Sequence, residues 1–242
     1  VDYVVEGSVH RDAGRLQVVA QLIDGRSELH SWARTYTREL RDLLTLLNEI
    51  AGSVAEAVSA RLVPAEAERL ARRIEIGEEA LLRYLTGRHF WALRSPDSLR
   101  KAGDEFAACV RLAPDFAPAY GGLADCQIVL AMYGIERPLE AAALAREHHA
   151  RAFALDPSAA EVQTAQGAIA LFFDWDVDAA RKSFVQALAS NPSYTTTHLA
   201  YGDLLMMLGE FDRGLDLVRE AVRLDPFDLG LAMNLGDFLI FA

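Results

Sequence analysis

Lysine is nearly absent from this 242-residue chain, where only Lys101 and Lys182 occur, and the formal net charge is −11. Binding phosphate backbones or anionic lipid surfaces takes clustered basic residues, so the composition argues against a nucleic-acid or membrane partner. Cysteine is equally scarce. Cys109 and Cys126 have no CxxC spacing and fall on apolar helical faces, so two buried, reduced thiols are expected rather than a disulfide. The longest apolar runs, such as 167–173 and 238–242, are far shorter than the ~20 residues that cross a bilayer. Residues 1–6 lack the basic, apolar and small-residue order of a secretory signal, and a strand pattern begins at once. The chain is therefore expected to start inside a longer, cytoplasmic protein.

Catalytic motifs are missing too. There is no glycine-rich phosphate loop, nucleophile elbow or zinc-ligand spacing. His148 and His149 are adjacent, and adjacent helical residues point about 100° apart, which does not make a metal pair. His149 is expected in the core and His148 at the surface. Asp174-Trp175-Asp176 reads as a turn, with Trp175 packed between hairpins and the acids solvated or capping the next helix. Neither a catalytic site, a cofactor nor a metal is expected.

What is present falls into three parts: 1–63, a connector over 64–77, and 78–242. Residues 3–11, 15–24 and 29–37 alternate with the period of two of half-buried strands, with Leu16, Val18, Ala20 and Leu22 on one face. Asp12-Ala13-Gly14 and Asp24-Gly25-Arg26-Ser27 supply tight turns, which gives an antiparallel meander. Leu43, Leu44, Leu47, Ile50, Ala51, Val54 and Val58 then mark a helix over about 39–62 that ends before Pro64. This part reads as a small, truncated α+β domain.

The rest is periodic. Pro114, Pro157, Pro192 and Pro226 each close a helical segment, and the last two intervals are 35 and 34 residues. Counting back from them, Ala102, Phe106 and Cys109 recur as Ala145, His149 and Ala152, as Ala180, Phe184 and Ala187, and as Gly214, Val218 and Ala221. Gly87, Ala124, Gly167, Gly202 and Gly236 hold the position where two helices cross. A period of about 34 with these small and bulky positions is that of helical hairpins stacked into a solenoid. The interval from Pro114 to Pro157 is nine residues longer than the last interval, and an enlarged turn around 132–138 is expected to carry the excess.

One residue beyond each crossing position stand Arg88, Asp125, Ala168, Asp203 and Asp237, and three residues further on Trp91, Ile128, Leu171, Met206 and Ile240. Tyr84, Thr164, Leu199 and Met233 precede them by about one turn. Together Tyr84, Arg88, Trp91, Asp125, Ile128, Thr164, Leu171, Leu199, Asp203, Met206, Met233 and Asp237 are read as an inner groove. Its acidic sign suits a protein or peptide segment combining apolar with basic residues. The final helix, 229–242, carries Leu231, Leu235, Phe238, Leu239, Ile240 and Phe241, an apolar stripe expected to be covered by further repeats or by a second copy in a homodimer.

Residues 3–9, 20–24 and 32–36, leading into Asn48-Glu49-Ile50-Ala51, resemble a TolB-like domain. Tyr84-Leu85-Thr86-Gly87-Arg88, Gly122-Leu123-Ala124-Asp125, Asp174-Trp175-Asp176 and Leu224-Asp225-Pro226 resemble the tetratricopeptide-repeat array that follows it in bacterial multidomain signalling proteins. The resemblance implies a mainly α chain, a right-handed tetratricopeptide-repeat solenoid of about four and a half repeats behind a truncated α+β domain. It also implies a non-catalytic regulatory and protein-interaction module tuning a fused output. A transcriptional regulator is set first, with the regulatory region of an adenylate or guanylate cyclase, a serine/threonine kinase, or a stand-alone scaffold as alternatives. An enzyme with a site between the meander and the first repeat would need convergent polar residues that the sequence does not offer there.

Overall fold

The period-two segments fold as three antiparallel strands in the computed structural model, which describes residues 3–12, 15–27, 29–39, 42–58, 76–226 and 228–241. They are β1 (Tyr3–Asp12), β2 (Arg15–Asp24) and β3 (His30–Glu39), hydrogen-bonded in that order. Asp24 closes the second turn, its Oδ1 accepting the backbone N–H groups of Arg26 (3.0 Å) and Ser27 (2.8 Å). Ala20 and Tyr36 bury one face of the sheet against Leu46 of α1 (Leu43–Ala57), with Val18, Trp32 and Ile50 around them. That helix begins later than the expected Glu39 because β3 keeps Glu39 paired opposite Arg15. Among the described residues β1 is paired with β2 alone, and its Tyr3, Val5 and Val9 are exposed.

The chain divides into two compact units, Val1–Glu78 and Glu79–Ala242. The expected connector, 64–77, falls largely outside the described residues. The second unit is a run of helical hairpins: α2 (Glu78–Ala92) with α3 (Pro96–Leu112), α4 (Ala117–Met132) with α5 (Pro138–Leu155), α6 (Ala160–Ile169) with α7 (Val177–Ser190), and α8 (Thr195–Met207) with α9 (Phe211–Leu224). A further helix, α10 (Leu229–Phe241), follows.

Proline ends each second helix by one mechanism. A residue before proline is sterically kept out of the helical region. Ala113, Asp156, Asn191 and Asp225 accordingly take φ between −135° and −150° with ψ between 79° and 91°. Each still donates its N–H to the carbonyl four residues back, on Cys109, Ala152, Ala187 and Ala221, and each carbonyl accepts from the N–H three residues ahead. The same turn therefore links every second helix to the next hairpin.

Between helices the fit is set by a bulky side chain against missing Cβ atoms. A Cβ on Gly87 or Gly122 would lie 2.6 Å from the Phe106 ring, and one on Gly167 would lie 2.5 Å from the Phe184 ring. Gly202 meets Val218 in the same way, at 2.9 Å. These rings are fully buried. Ala124 holds the crossing position of the second hairpin as expected, but it is Gly122, two residues earlier, that receives Phe106 from the hairpin before. His149, at the bulky position of that hairpin, is half-buried; its Nε2 is enclosed without a partner among the described residues, and burial holds its pKa below 6.5. Cys109 and Cys126 are buried free thiols, and burial pushes Cys109 up to about 11.

Three readings need correction. The nine extra residues of the second repeat are not one enlarged turn: compared with α8–α9, α4 is three residues longer, the turn two longer and α5 four longer. Trp175 does not pack between hairpins. It is 72% exposed, in the left-handed region (φ 56°), where a π-helical turn over Ala170–Asp174 ends. The flanking acids do serve the turn, since Asp176 caps α7 through the Ala179 N–H (2.9 Å) and Asp174 pairs with Arg146. In α10, Leu231 and Phe238 are already buried within the chain, Phe238 against Leu215 and Val218, whereas Leu239 and Ile240 remain exposed.

Truncation of Phe184 to Ala should cost about 3–5 kcal/mol in urea unfolding, the range for an emptied aromatic site. Gly167→Ala should also destabilise, because the ring it would strike cannot move without opening the hairpin. Melting curves unchanged for both variants would contradict the packing described.

Candidate functional site

The first helices of successive hairpins each turn one stripe toward a common cleft that opens to solvent. From α4 come Asp125, Ile128, Val129 and Met132; from α6, Thr164 and Ala168; from α8, Thr196, Leu199, Ala200 and Asp203. These are i, i+3, i+4, i+7 spacings, which share a helix face. Phe172 of the π-helical turn joins them. Trp91 and Arg94 line the cleft at the α2 end and Asn234 at α10, with the exposed Met132 and Tyr133 at the rim. Two floor helices are tied together by buried hydroxyls, Thr164 Oγ1 to Thr197 Oγ1 at 2.6 Å.

The lining is apolar apart from a few polar groups, and those are electrostatically costly. Asp125 is buried, and desolvation pushes its carboxyl up to about 7 despite the opposing pull of Arg88 and Arg94. Asp203 is half-buried, and desolvation pushes its carboxyl to about the same value, again with Arg94 opposing. Among the described residues neither carboxylate has a direct ion pair or side-chain hydrogen bond within the protein. Arg94 stacks on Trp91, its guanidinium carbon 3.9 Å from the ring centroid. Such a cleft can take up a cation flanked by apolar groups. It has no nucleophile paired with a base, and no three His, Cys, Asp or Glu side chains among the described residues converge as a metal set.

Six of the twelve groove residues read from the sequence line this cleft: Trp91, Asp125, Ile128, Thr164, Leu199 and Asp203. The others are placed elsewhere. Tyr84 packs on Phe106 and Phe116, at centroid distances of 5.9 and 5.0 Å, and burial pushes its phenol up to about 12. Arg88 lies within electrostatic reach of Tyr84, Tyr194 and Asp125. Leu171 belongs to the core around Phe184, and Met206 to the one around Val218. Met233 and Asp237 are exposed outside the cleft, and Asn234 lines it instead. Spacing alone does not separate the two groups. Trp91 and Ile128 line the cleft three positions after Arg88 and Asp125, whereas Leu171 and Met206, at the same spacing, are taken into the packing around Phe184 and Val218. Val129, four positions after Asp125, shares the Asp125 face and joins the lining. Arg94 and Tyr133 sit in turns and had no periodic signal.

No family model matches the chain. Over 80 residues, 33% of the chain, it is 39% identical to the putative adenylate cyclase 3 of Rhizobium meliloti (strain 1021). Over 143 residues, 59% of the chain, it is 29% identical to the transcriptional regulator HilA of Salmonella typhimurium. The chain spans only 14% and 26% of these relatives' own lengths. Among solved structures, TTC0263, a thermophilic TPR protein of Thermus thermophilus, matches with a TM-score of 0.53 at 19% identity, covering 83% of this chain and 97% of that one. That likeness shows the fold of the helical unit, a tetratricopeptide-repeat array.

The two desolvated carboxylates make a pH prediction. Their folded-state pKa values lie above the ordinary 3.8, so the folded chain binds more protons than the unfolded one between about pH 4 and 7. The stability they contribute is full below pH 4 and is lost as the pH rises through 7. His148 and His149, held below 6.5 by burial, act in the opposite sense, losing stability as the pH falls below 6.5. Comparison with Asp125→Asn/Asp203→Asn isolates the carboxylates. The variant's stability relative to the unaltered chain should rise by about 2–4 kcal/mol from pH 4 to pH 8 in urea titrations. A difference independent of pH would contradict the burial of charge.

Proposed function

We propose that this chain is the non-catalytic regulatory and protein-interaction region of a bacterial signalling protein, in which a bound partner segment tunes an output domain carried by the same polypeptide. The observation that carries the reading is the cleft itself, with two under-compensated carboxylates set among Trp91, Ile128, Val129, Phe172 and Leu199. A segment with Arg or Lys between apolar residues matches it, because an incoming cation restores the charge balance that burial denies Asp125 and Asp203. The sheet unit is read as part of a TolB-like domain, which the meander and its covering helix suit. A cytoplasmic setting follows from the same reading; no helix among the described residues is long and apolar enough to cross a membrane.

The output is proposed to be transcriptional, supported by the longer of the two curated similarities. A cyclase output is the second reading, favoured by the higher identity of the shorter match. The coding sequence preceding residue 1 decides between them and a stand-alone scaffold. Self-association through α10 is part of the proposal, supported by Leu239 and Ile240, the latter 77% exposed. Light scattering should find a dimer that Ile240→Asp dissociates, and a monomer at high concentration would remove this part.

Selection of a random peptide display library on the purified chain tests the cleft. Peptides with one or more basic residues flanked by apolar ones should be enriched, and the enrichment should disappear on Asp125→Asn/Asp203→Asn. Enrichment of acidic peptides, or the same set on the double variant, would overturn the reading.

A further inference from the structure

Arg94 is not an ordinary turn residue. It follows α2 with φ at 52°, a left-handed conformation that helix ends usually assign to glycine because any Cβ is strained there. Its N–H donates to the Trp91 carbonyl (3.3 Å), so the backbone turn is made by the main chain alone. Nothing in that turn requires a side chain, least of all a long cation. The side chain instead leaves α2 along the Trp91 ring and passes beside α10, where a Cβ added to Gly230 would lie 3.2 Å from Arg94 Cγ. Asp228, which caps α10 through the Gly230 (2.8 Å) and Leu231 (3.2 Å) N–H groups, is in electrostatic reach of the guanidinium, as are Asp125 and Asp203. One side chain thus runs from the first helix of the array to the last one described and lies in the cleft's own acidic field.

We propose that Arg94 is a built-in competitor for the ligand's cation, a latch that partly neutralises the acidic cleft and holds α10 against α2 until a basic partner segment displaces it. This rests on the cleft being the partner site. Binding then has two consequences. The partner must displace Arg94, so the measured affinity is lower than the cleft's intrinsic affinity by the fraction of molecules in which the latch is open. Displacement also frees the start of α10, which converts occupancy of the cleft into a change at the end of the array.

The test uses the full chain and the probe N-acetyl-Leu-Arg-Leu amide, whose only charge is the guanidinium. Calorimetry would compare the unaltered chain, Arg94→Gly, Arg94→Lys and Asp203→Asn. Arg94→Gly suits the left-handed backbone and removes the latch, so it should bind the probe at least tenfold more tightly, and Asp203→Asn should weaken binding. Arg94→Lys keeps the charge without the planar stack and should fall between the unaltered chain and Arg94→Gly. Hydrogen exchange of the α10 amides supplies a readout that needs no ligand: it should quicken in free Arg94→Gly, and in the unaltered chain once the probe is added. Binding that is equal or weaker in Arg94→Gly, with Asp203→Asn still impaired, overturns the latch and leaves the cleft. Unchanged α10 exchange in Arg94→Gly also overturns the latch. Absence of binding in every chain, or indifference to Asp203→Asn, overturns both.

Discussion

The helical unit depends on one steric relation, a bulky side chain seated where glycine leaves room. Phe106 occupies the space of two absent Cβ atoms, on Gly87 and Gly122, and so locks its own hairpin and the following one at once. Close approach there sets the distance between helices, and the distance decides which residues of each first helix face inward. The repeated pre-proline turn links each hairpin to the next. With both fixed, α4, α6 and α8 bring their stripes to the same side, and a cleft results whose lining includes core residues such as Trp91, Ile128 and Ala168.

That arrangement carries an electrostatic cost that packing does not explain. Carboxylates at Asp125 and Asp203 would be more stable in water, and their raised pKa values express the loss. An array selected for stability alone would hold Asn or an apolar residue at these positions. The tension is relieved partly within the chain by Arg88 and Arg94, and it marks the cleft as the part of the molecule where stability and recognition compete.

Much of this was legible beforehand. The strands, the turn at Asp24, the proline-terminated hairpins, the burial of Phe106 and Phe184, and the thiol state of both cysteines follow from local chemistry or from a repeat that states its own register. Six of the twelve residues picked by repeat position line the cleft, because position within a repeat predicts a helix face. The misses have local causes. Trp175 looked like a core residue by composition, but the π-helical turn before it swings it outward. Leu171 and Met206 lie within the correct stripe by spacing, yet a hairpin partner claims them first.

The sequence by itself determined the secondary structure and the hairpin period, since steric rules at proline, glycine and alternating apolar positions act over a few residues. Only the tertiary structure decided that Arg94 meets Gly230, that Asp125 and Asp203 share one cleft, and that seven of the nine extra residues lengthen α4 and α5 and only two the turn. The first two join residues far apart along the chain. Their geometry is the accumulated outcome of every hairpin angle between them, which no local pattern encodes.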